Sequence, residues 1–464
     1  PRRAAPAAAA VGLGSAPETL IDGLAPQEFW AEYKTPAEDI PQWRKDLDLE
    51  AFGAECRAIE RALKEQQNEE DVDHLRGVLN WSIGLYWAGV LAATVCNPMA
   101  WNPLAAVLIS TAIMARWTMV GHHVCHGGYS SQQVEGDRFH RRTFALGPLR
   151  RVWDWLDWMA PAAWDAEHNN LHHYKLGEDT DPDLVERNFL PVRAGKYGPG
   201  PMKYLAVGFL MATWKWFYYA PNTLKELFQQ DKDRAARRGD DSKTQPFTTG
   251  TNPTTITFAF EELFQGRIAP AVEMAKCMLP YFLTQFVLIP CGVGAAVAAF
   301  QGAAAGAAVG QLVLLNVVLA EVLTNIHSFV VIATNHVGED IYRFATPVKP
   351  KSGEFYLRAI LGSANFQTGG KVNADGSYKP AGVGGNVCDY MQGWLNYQVE
   401  HHMFDSLSML SYQKAQPQVK ALCEKHGVPY VQENVFKRLA KTVDVMVGKK
   451  DMIQWEAGRD YRYN

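Results

Sequence analysis

Charge is missing from two long stretches of this 464-residue sequence. No Asp, Glu, Lys or Arg occurs from Gly77 to Ala115, nor from Met278 to Ala320. Each stretch is about twice the roughly 20 residues that a helix needs to cross a bilayer. Turn-forming residues break the first near Asn102-Pro103 and the second near Gly302. We therefore predict an all-α integral membrane protein with four transmembrane helices in two hairpins. The alternative is a pair of very long buried helices in a soluble protein, which uncharged runs of this length disfavour.

Paired cysteines and basic tracts are also missing. The seven cysteines form no Cys-x-x-Cys pair, which argues against a disulfide framework and favours a reducing compartment. No tract of Lys and Arg with interleaved aromatic residues occurs, and the net charge is −4. The sequence therefore gives no sign of nucleic acid as a partner.

Acidic residues are absent before Glu18, where the chain reads PRRAAPAAAAVGLGSAP. This composition is typical of the remnant of an organelle transit peptide, and a disordered tail fits it equally well. We divide the chain into residues 1–17 as that remnant or tail, 18–75 as a soluble helical segment, 76–430 as the membrane domain and 431–464 as a C-terminal tail. Trp and Tyr are frequent over residues 151–220, which favours helices lying in the membrane interface.

Histidine is concentrated in a few short segments of the sequence. Nine of its 13 histidines fall in GHHVCHGG, EHNNLHH, TNHVGED and QVEHH, and all of these except His123 are candidate metal ligands. These candidate metal ligands are His122, His126, His168, His172, His173, His336, His401 and His402. Imidazole is the commonest metal ligand in proteins and suits iron. We predict a dinuclear site, since two ions would use this many nitrogen ligands. The other histidines, among them His123 and His327, have no clear metal role.

The predicted topology brings these histidines to one face of the membrane. A hairpin leaves the membrane on the side where it entered, so all four segments emerge together unless residues 203–220 form a fifth span. His122 and His126, like His168 and His172, are four residues apart and share a helical face. Each such pair can clamp one ion, whereas His173 and His402 point about 100° away from the residue before them and can reach a second ion.

The donor set selects iron over structural zinc, which is usually held with thiolates. Side chains that could orient the histidines from outside are Gln398, Asp165, Glu167, Asp179, Asp181, Asp183 and Glu400. A solvated turn is the competing interpretation of the EDTDPD run.

At these histidines the chain resembles the membrane fatty acid desaturase family, over roughly residues 75–430. The family's three histidine boxes correspond to His122 with His126, to His168 with His172 and His173, and to Gln398 with His401 and His402. The resemblance implies two iron ions (Fe²⁺) held by the eight histidines in a cap on one membrane face, with O₂ as co-substrate. No acid–base catalytic residue beyond the metal centre is expected.

Gln398 replaces the first histidine of the third box, which resembles front-end desaturases acting between an existing double bond and the carboxyl end of an acyl chain. Many front-end members carry a fused cytochrome b5 domain with an HPGG motif, and this sequence shows none. The resemblance therefore implies a membrane lipid substrate and an external electron donor, with ferredoxin in a plastid membrane as the first expectation and free cytochrome b5 in the endoplasmic reticulum as the alternative. Asp405 stands where the family usually has proline.

Other functions stay open at this point. The same boxes serve sphingolipid desaturases and fatty acyl hydroxylases, and a non-catalytic lipid-binding subunit could keep the fold. A transporter would place its histidines inside the spans, whereas these follow the ends of the spans.

Overall fold

The computed structural model describes residues 41–95, 101–132, 138–239, 255–368, 371–372, 378–379 and 382–455. The stretch expected to be a transit-peptide remnant, residues 1–17, lies outside them. The described chain is mostly helical, as predicted. The helices that precede the segment with His168 are Gln42–Asp46, Leu49–Gln66, Glu69–Val95, Pro103–Cys125 and 148–155. Those that follow are 161–175, Val185–Asn188, Leu190–Arg193, 201–237, Thr257–Phe264, Ala269–Gln301, Ala303–Asn335, Gly353–Leu361, Gly382–Met391, Gln398–Met403, Met409–His426 and Val435–Met446.

Three described helices are long and apolar enough to cross a membrane, where the sequence led us to expect four. They are Pro103–Cys125, Ala269–Gln301 and Ala303–Asn335. The remaining expected span corresponds to Glu69–Val95, whose first turn carries three acidic residues and which does not reach the same apolar level. It nevertheless packs along Pro103–Cys125.

The start of helix Pro103–Cys125 follows the predicted signal. The side chain of Asn102 accepts hydrogen bonds from the backbone nitrogens of Leu104 (3.0 Å) and Ala105 (3.4 Å). Pro103 occupies the first turn. Backbone N–H groups there have no acceptor within the helix, so the missing N–H of proline costs no hydrogen bond. This cap fixes where the helix begins, and the helix then runs inward to the first histidine segment.

Close packing of the second hairpin depends on glycine. A Cβ atom on Gly306 would lie 2.5 Å from the backbone oxygen of Gly294 and 2.5 Å from Cβ of Ala298. A Cβ on Gly310 would meet the backbone oxygen of Pro290 at 3.1 Å. Small residues at helix contacts let two backbones approach closely, a common arrangement in membranes. The outer surface of this hairpin exposes large apolar side chains such as Leu288 and Leu314, as expected for a surface that faces lipid.

The aromatic region between the hairpins forms helices 148–155, 161–175 and 201–237. Helix 201–237 is not among the apolar spans. It packs on Ala303–Asn335, where the indole of Trp214 donates to the backbone oxygen of Asn325 (2.8 Å) and the amide oxygen of Asn325 accepts from the backbone nitrogen of Lys215 (3.0 Å). The described residues therefore show no fifth span over residues 203–220.

Three pairs of short strands occur among the described residues. Tyr342–Arg343 pairs in parallel with Ile453–Gln454, Asn365–Phe366 pairs in parallel with Gln432–Glu433, and Lys371–Val372 pairs antiparallel with Tyr378–Lys379. Each has only two residues, so the fold class remains helical. The predicted tail helix is Met409–His426, and Gly427 ends it with φ +67°, as the sequence indicated.

Candidate metal centre

The eight predicted histidines converge in two neighbouring groups. Five of them bring ring nitrogens within 4.8 Å of one another, namely His122, His126, His168, His173 and His401. Three more do the same, namely His172, His336 and His402. His168 and His172 also lie within this distance of Asp183. All of these histidines are buried except His336, which is partly buried.

Adjacent histidines divide between the two groups, as the sequence predicted. His172 and His173 point to different groups, and so do His401 and His402, because successive residues of a helix point about 100° apart. His122 and His126, four residues apart, point to the same group.

The pairing of His168 differs from the α-helical expectation. It shares the larger group with His173, five residues on, while His172 belongs to the smaller group. The reason is local: Asp165–His172 is a π-helix, in which i→i+5 hydrogen bonds bring residues five apart toward one face. A second π-helix, Arg116–Gly121, directly precedes His122.

The ring nitrogens are arranged as ligands rather than as ordinary hydrogen-bonding groups. Nε2 of His122 lies 3.0 Å from Nε2 of His168, which lies 3.3 Å from Nε2 of His173. Such separations match neighbouring nitrogen ligands about an ion bound at roughly 2.1 Å. Nε2 of His126 and of His401 are buried without a hydrogen-bond partner among the described residues. Because buried polar atoms are nearly always paired, these orphaned nitrogens fit a metal.

Several histidine rings are held in place by a contact to Nδ1. Nδ1 of His172 lies 2.9 Å from the carboxylate of Asp181, which also accepts from the backbone nitrogens of Gly177 and Asp183. Backbone oxygens serve His122 through Thr118 (3.1 Å) and His336 through Gly362 (3.1 Å). Such contacts fix the tautomer and leave Nε2 for the ion.

Tyr412 performs the same role for His401, with its hydroxyl oxygen 3.2 Å from Nδ1. The hydroxyl donates to the backbone oxygen of Phe404 (2.9 Å). The sequence analysis did not single out Tyr412, Thr118 or Gly362. Backbone oxygens leave no side-chain signal in a sequence, and a lone tyrosine eleven residues after His401 carries none either.

The electrostatics keep most of these imidazoles neutral, the form that binds metal. Burial and the neighbouring His173 hold the pKa of His126 well below its ordinary value, and burial lowers the pKa of His336 to about 3. Burial also lowers that of His402, with His173 and His336 adding to it. For His172, burial opposes the charged form, but the Asp181 carboxylate outweighs it and the pKa is raised. Asp181 shows the converse, a lowered pKa despite burial.

Gln398 lies in the smaller group, in the place that a histidine could occupy. Its amide nitrogen is 2.9 Å from Nε2 of His336 and 3.1 Å from Nε2 of His402, and its amide oxygen is buried with no hydrogen-bond partner in the described part of the chain. Amide nitrogen and oxygen are interchangeable by a flip of the side chain. If His336 and His402 held an ion, the flipped amide would offer its oxygen as a further ligand.

The carboxylates proposed to orient the histidines have different positions. Asp181 contacts His172, and Asp183 lies near His168 and His172. Asp165 accepts from Asn169 (2.6 Å), and Asp179 from Arg343. Glu400 accepts from the amide of Asn365 (2.7 Å) and the hydroxyl of Tyr430 (2.7 Å), and burial raises its pKa to about 7. Glu167 is buried, and burial together with Asp183 raises its pKa well above the ordinary value. Only Asp181 among them is hydrogen-bonded to a described histidine ring.

His123 and His327 stay outside both groups. Nδ1 of His123 contacts the backbone oxygen of Met119 (2.8 Å), and Nε2 of His327 contacts that of Met391 (2.7 Å). One ring nitrogen of each is therefore hydrogen-bonded to the backbone.

An apolar cavity of about 610 Å³ ends at the histidines. At this end it is lined by His122, His168, His172, His336 and Gln398. Away from them the wall is mostly apolar or aromatic, with Trp214, Phe329 and Leu395. The volume lies within the roughly 300–1,000 Å³ of small-molecule sites. The arrangement brings a long apolar ligand to two nitrogen-lined metal positions.

Comparison with known proteins agrees with this geometry. A family model described as fatty acid desaturase matches residues 98–434. The NADPH-dependent stearoyl-CoA 9-desaturase of Mycobacterium tuberculosis (strain CDC 1551 / Oshkosh) is 23% identical over 408 residues, covering 86% of this chain and 79% of the relative. Shorter segments match the acyl-lipid (8-3)-desaturase of Rebecca salina, 42% identical over 55 residues (12% and 13% of the two chains). The Delta(5) fatty acid desaturase A of Dictyostelium discoideum is 33% identical over 98 residues (21% and 18%).

Proposed function

Because this chain belongs to the fatty acid desaturase family and is an oxygen-dependent oxidoreductase, we propose that it is a front-end acyl-lipid desaturase. It would introduce a cis double bond into an unsaturated acyl chain on the carboxyl side of an existing double bond. The observation that carries this proposal is the junction of the two histidine groups with the apolar cavity.

The eight histidines would hold two iron ions, five at one and three at the other. Bound iron supplies oxidation by O₂ and two electrons, which removes two hydrogen atoms from adjacent methylene groups. The residues of this chain supply the geometry. Trp214, Phe329 and Leu395 enclose the acyl chain and exclude water, and Asp181 and Tyr412 hold His172 and His401 in place.

Regiochemistry rests on Gln398 and on the relatives. Gln398 faces His336 and His402 at the end of the cavity, and two of the matched relatives are named as an (8-3)-desaturase and a Delta(5) desaturase. A second candidate is a 9-desaturase that acts on an acyl thioester of coenzyme A, which the match over 408 residues favours. Sphingolipid desaturation and acyl hydroxylation are further candidates because they need the same site.

The remaining proposals concern the surroundings of the enzyme. Glu69–Val95 would complete four spans in two hairpins, since it pairs with Pro103–Cys125 and exposes Trp81 and Leu91. Electrons would come from a separate carrier, ferredoxin in a plastid membrane or free cytochrome b5 in the endoplasmic reticulum. Residues 76–430 would form the membrane domain, between the helical segment 18–75 and the tail 431–464.

Iron content tests the metal assignment. We expect His401→Ala and His172→Ala to lose most bound iron and all desaturation. His123→Ala, a buried histidine in ring contact with His401 but outside both groups, is the matched control and should keep its iron. Equal iron in all three purified variants would refute the ligand set.

The product tests the regiochemistry. Cells that express the chain and are fed several unsaturated fatty acids should accumulate lipids with a new double bond nearer the carboxyl end, as seen by lipid mass spectrometry. A new bond toward the methyl end refutes the front-end assignment, and a hydroxylated product refutes desaturation.

A further inference from the structure

The wall of the acyl cavity is incomplete on one side. Among its described lining residues, four are largely exposed: Tyr197 (56%), Met202 (48%), Leu205 (64%) and Phe209 (63%). The others are buried or half-buried. All four lie in residues 197–209, so the cavity has a single exposed margin, here called the side opening.

The helix that carries the opening has two faces. At about 100° per residue, Met202, Leu205 and Phe209 lie along one edge, between the cavity face with Ala206, Leu210 and Trp214 and the exposed face with Tyr204 and Gly208. The three side chains at that edge therefore belong both to the cavity wall and to the outer surface.

This outer surface lies beside a candidate membrane span. Trp214 donates to the backbone oxygen of Asn325, ten residues before the end of the span Ala303–Asn335. At 1.5 Å per residue, this contact lies about 15 Å from the histidine-bearing end of that helix, whose 33 residues exceed the roughly 20 that a crossing needs. Leu205 and Phe209, which lie between this point and the start of the helix, are apolar, as a lipid-facing surface requires.

The start of the same helix has the marks of the headgroup level. Nζ of Lys203 donates to the backbone oxygens of Arg193 (2.5 Å) and Val447 (3.2 Å), and Nζ of Lys449 lies 5.3 Å from the ring centroid of Tyr204. Tyrosine and lysine together favour the water–lipid boundary. The opening thus has a tyrosine–lysine contact near the start of its helix and apolar side chains along its edge.

We propose that the substrate's acyl chain enters the cavity sideways from the bilayer, through the opening at Met202, Leu205 and Phe209, while its headgroup stays at the membrane surface. This inference rests on the proposed function and names its substrate class, an acyl chain esterified in a membrane glycerolipid. The same chain could arrive as a water-soluble thioester, and the two sources are separated below.

Photolabelling tests the opening without requiring turnover. The full chain is placed in nanodiscs containing phosphatidylcholine with a diazirine on one acyl chain, illuminated and digested. We expect labels on the peptide with Met202, Leu205 and Phe209, and their loss in Leu205→Trp and Phe209→Trp, which fill the opening. Gly208→Trp is the control, because a Cβ there meets nothing within 4 Å and the position lies off the cavity face. Labels confined to residues 269–335, or unchanged by filling the opening, would overturn the proposal.

Turnover separates the two sources. With glycerolipid in the nanodisc, Leu205→Trp should lower kcat/KM at least tenfold with unchanged iron content, and Gly208→Trp should match the wild type. If only added stearoyl-CoA is desaturated, or if Leu205→Trp acts on the glycerolipid at the wild-type rate, the membrane source is wrong. A wild-type chain that desaturates neither substrate refutes the proposed function, whereas the labelling result still decides the opening.

Discussion

At the scale of single residues, the centre depends on groups that hold the histidines as much as on the histidines themselves. Asp181 is the clearest case, since it is buried, contacts Nδ1 of His172 and is itself fixed by the backbone nitrogens of Gly177 and Asp183. The sequence could suggest it only as one of several nearby carboxylates. Which carboxylate reaches a ring depends on the turn that follows Lys175, and spacing alone does not determine that turn.

Removing the charge of Asp181 should weaken metal binding without removing a ligand. We expect Asp181→Asn to bind Fe²⁺ roughly 10–100-fold more weakly, measured by competition with a chelator. Asp165→Asn is the matched control, because Asp165 lies near the same box but bonds to Asn169. Equal affinities for the two variants would contradict an orienting role for Asp181.

At the scale of helices, the sequence predicted the elements better than their internal geometry. The uncharged stretches, the Asn102 cap and the Gly427 stop all correspond to observed helices. The expected span at Glu69–Val95 stays a prediction, since Asn80 and Ser82 lower its apolar content and it is not among the three helices apolar enough to cross a membrane. The π-helices were not predicted, because tertiary packing stabilises them and no residue pattern in the sequence indicates them.

The glycine contact of the second hairpin gives a test at this scale. Gly306→Leu would force a side chain against Ala298 and the backbone of Gly294, and we expect it to destabilise the protein by about 1–3 kcal/mol or more. Thermal unfolding in detergent measures this loss. Gly292→Leu is the control, since a Cβ there meets nothing within 4 Å, and equal unfolding temperatures for the two variants would contradict the close contact.

At the scale of the whole molecule, the histidines come from distant parts of the chain and meet because the candidate spans Pro103–Cys125 and Ala303–Asn335 both end at them. The span Ala303–Asn335 ends next to His336, and Pro103–Cys125 ends next to His126. The helices Leu49–Gln66 and Met409–His426 pack together. Segregation of charge was enough to predict this convergence, whereas the division into groups of five and three required the structure.

Labelling from one side of the membrane checks this arrangement. Phe300 is exposed at the tip of the second hairpin and Lys420 is exposed on the cap helix Met409–His426. In a background without other reactive cysteines, Phe300→Cys and Lys420→Cys should react with an impermeant maleimide from opposite sides of sealed vesicles. Reaction of both from the same side would show that the cap and the hairpin tip are not separated by the bilayer.

The π-helix Asp165–His172 makes the count of residues as important as their identity. A π turn is equivalent to one extra residue inserted into an α-helix, so the distribution of His168, His172 and His173 between two ions is set by the length of the segment. Deleting one residue, such as the exposed Asn170, would remove no histidine. It would still change which ion each of these histidines reaches. Insertions and deletions within such a box, rather than substitutions, are therefore a direct way for related chains to change or lose their metal chemistry.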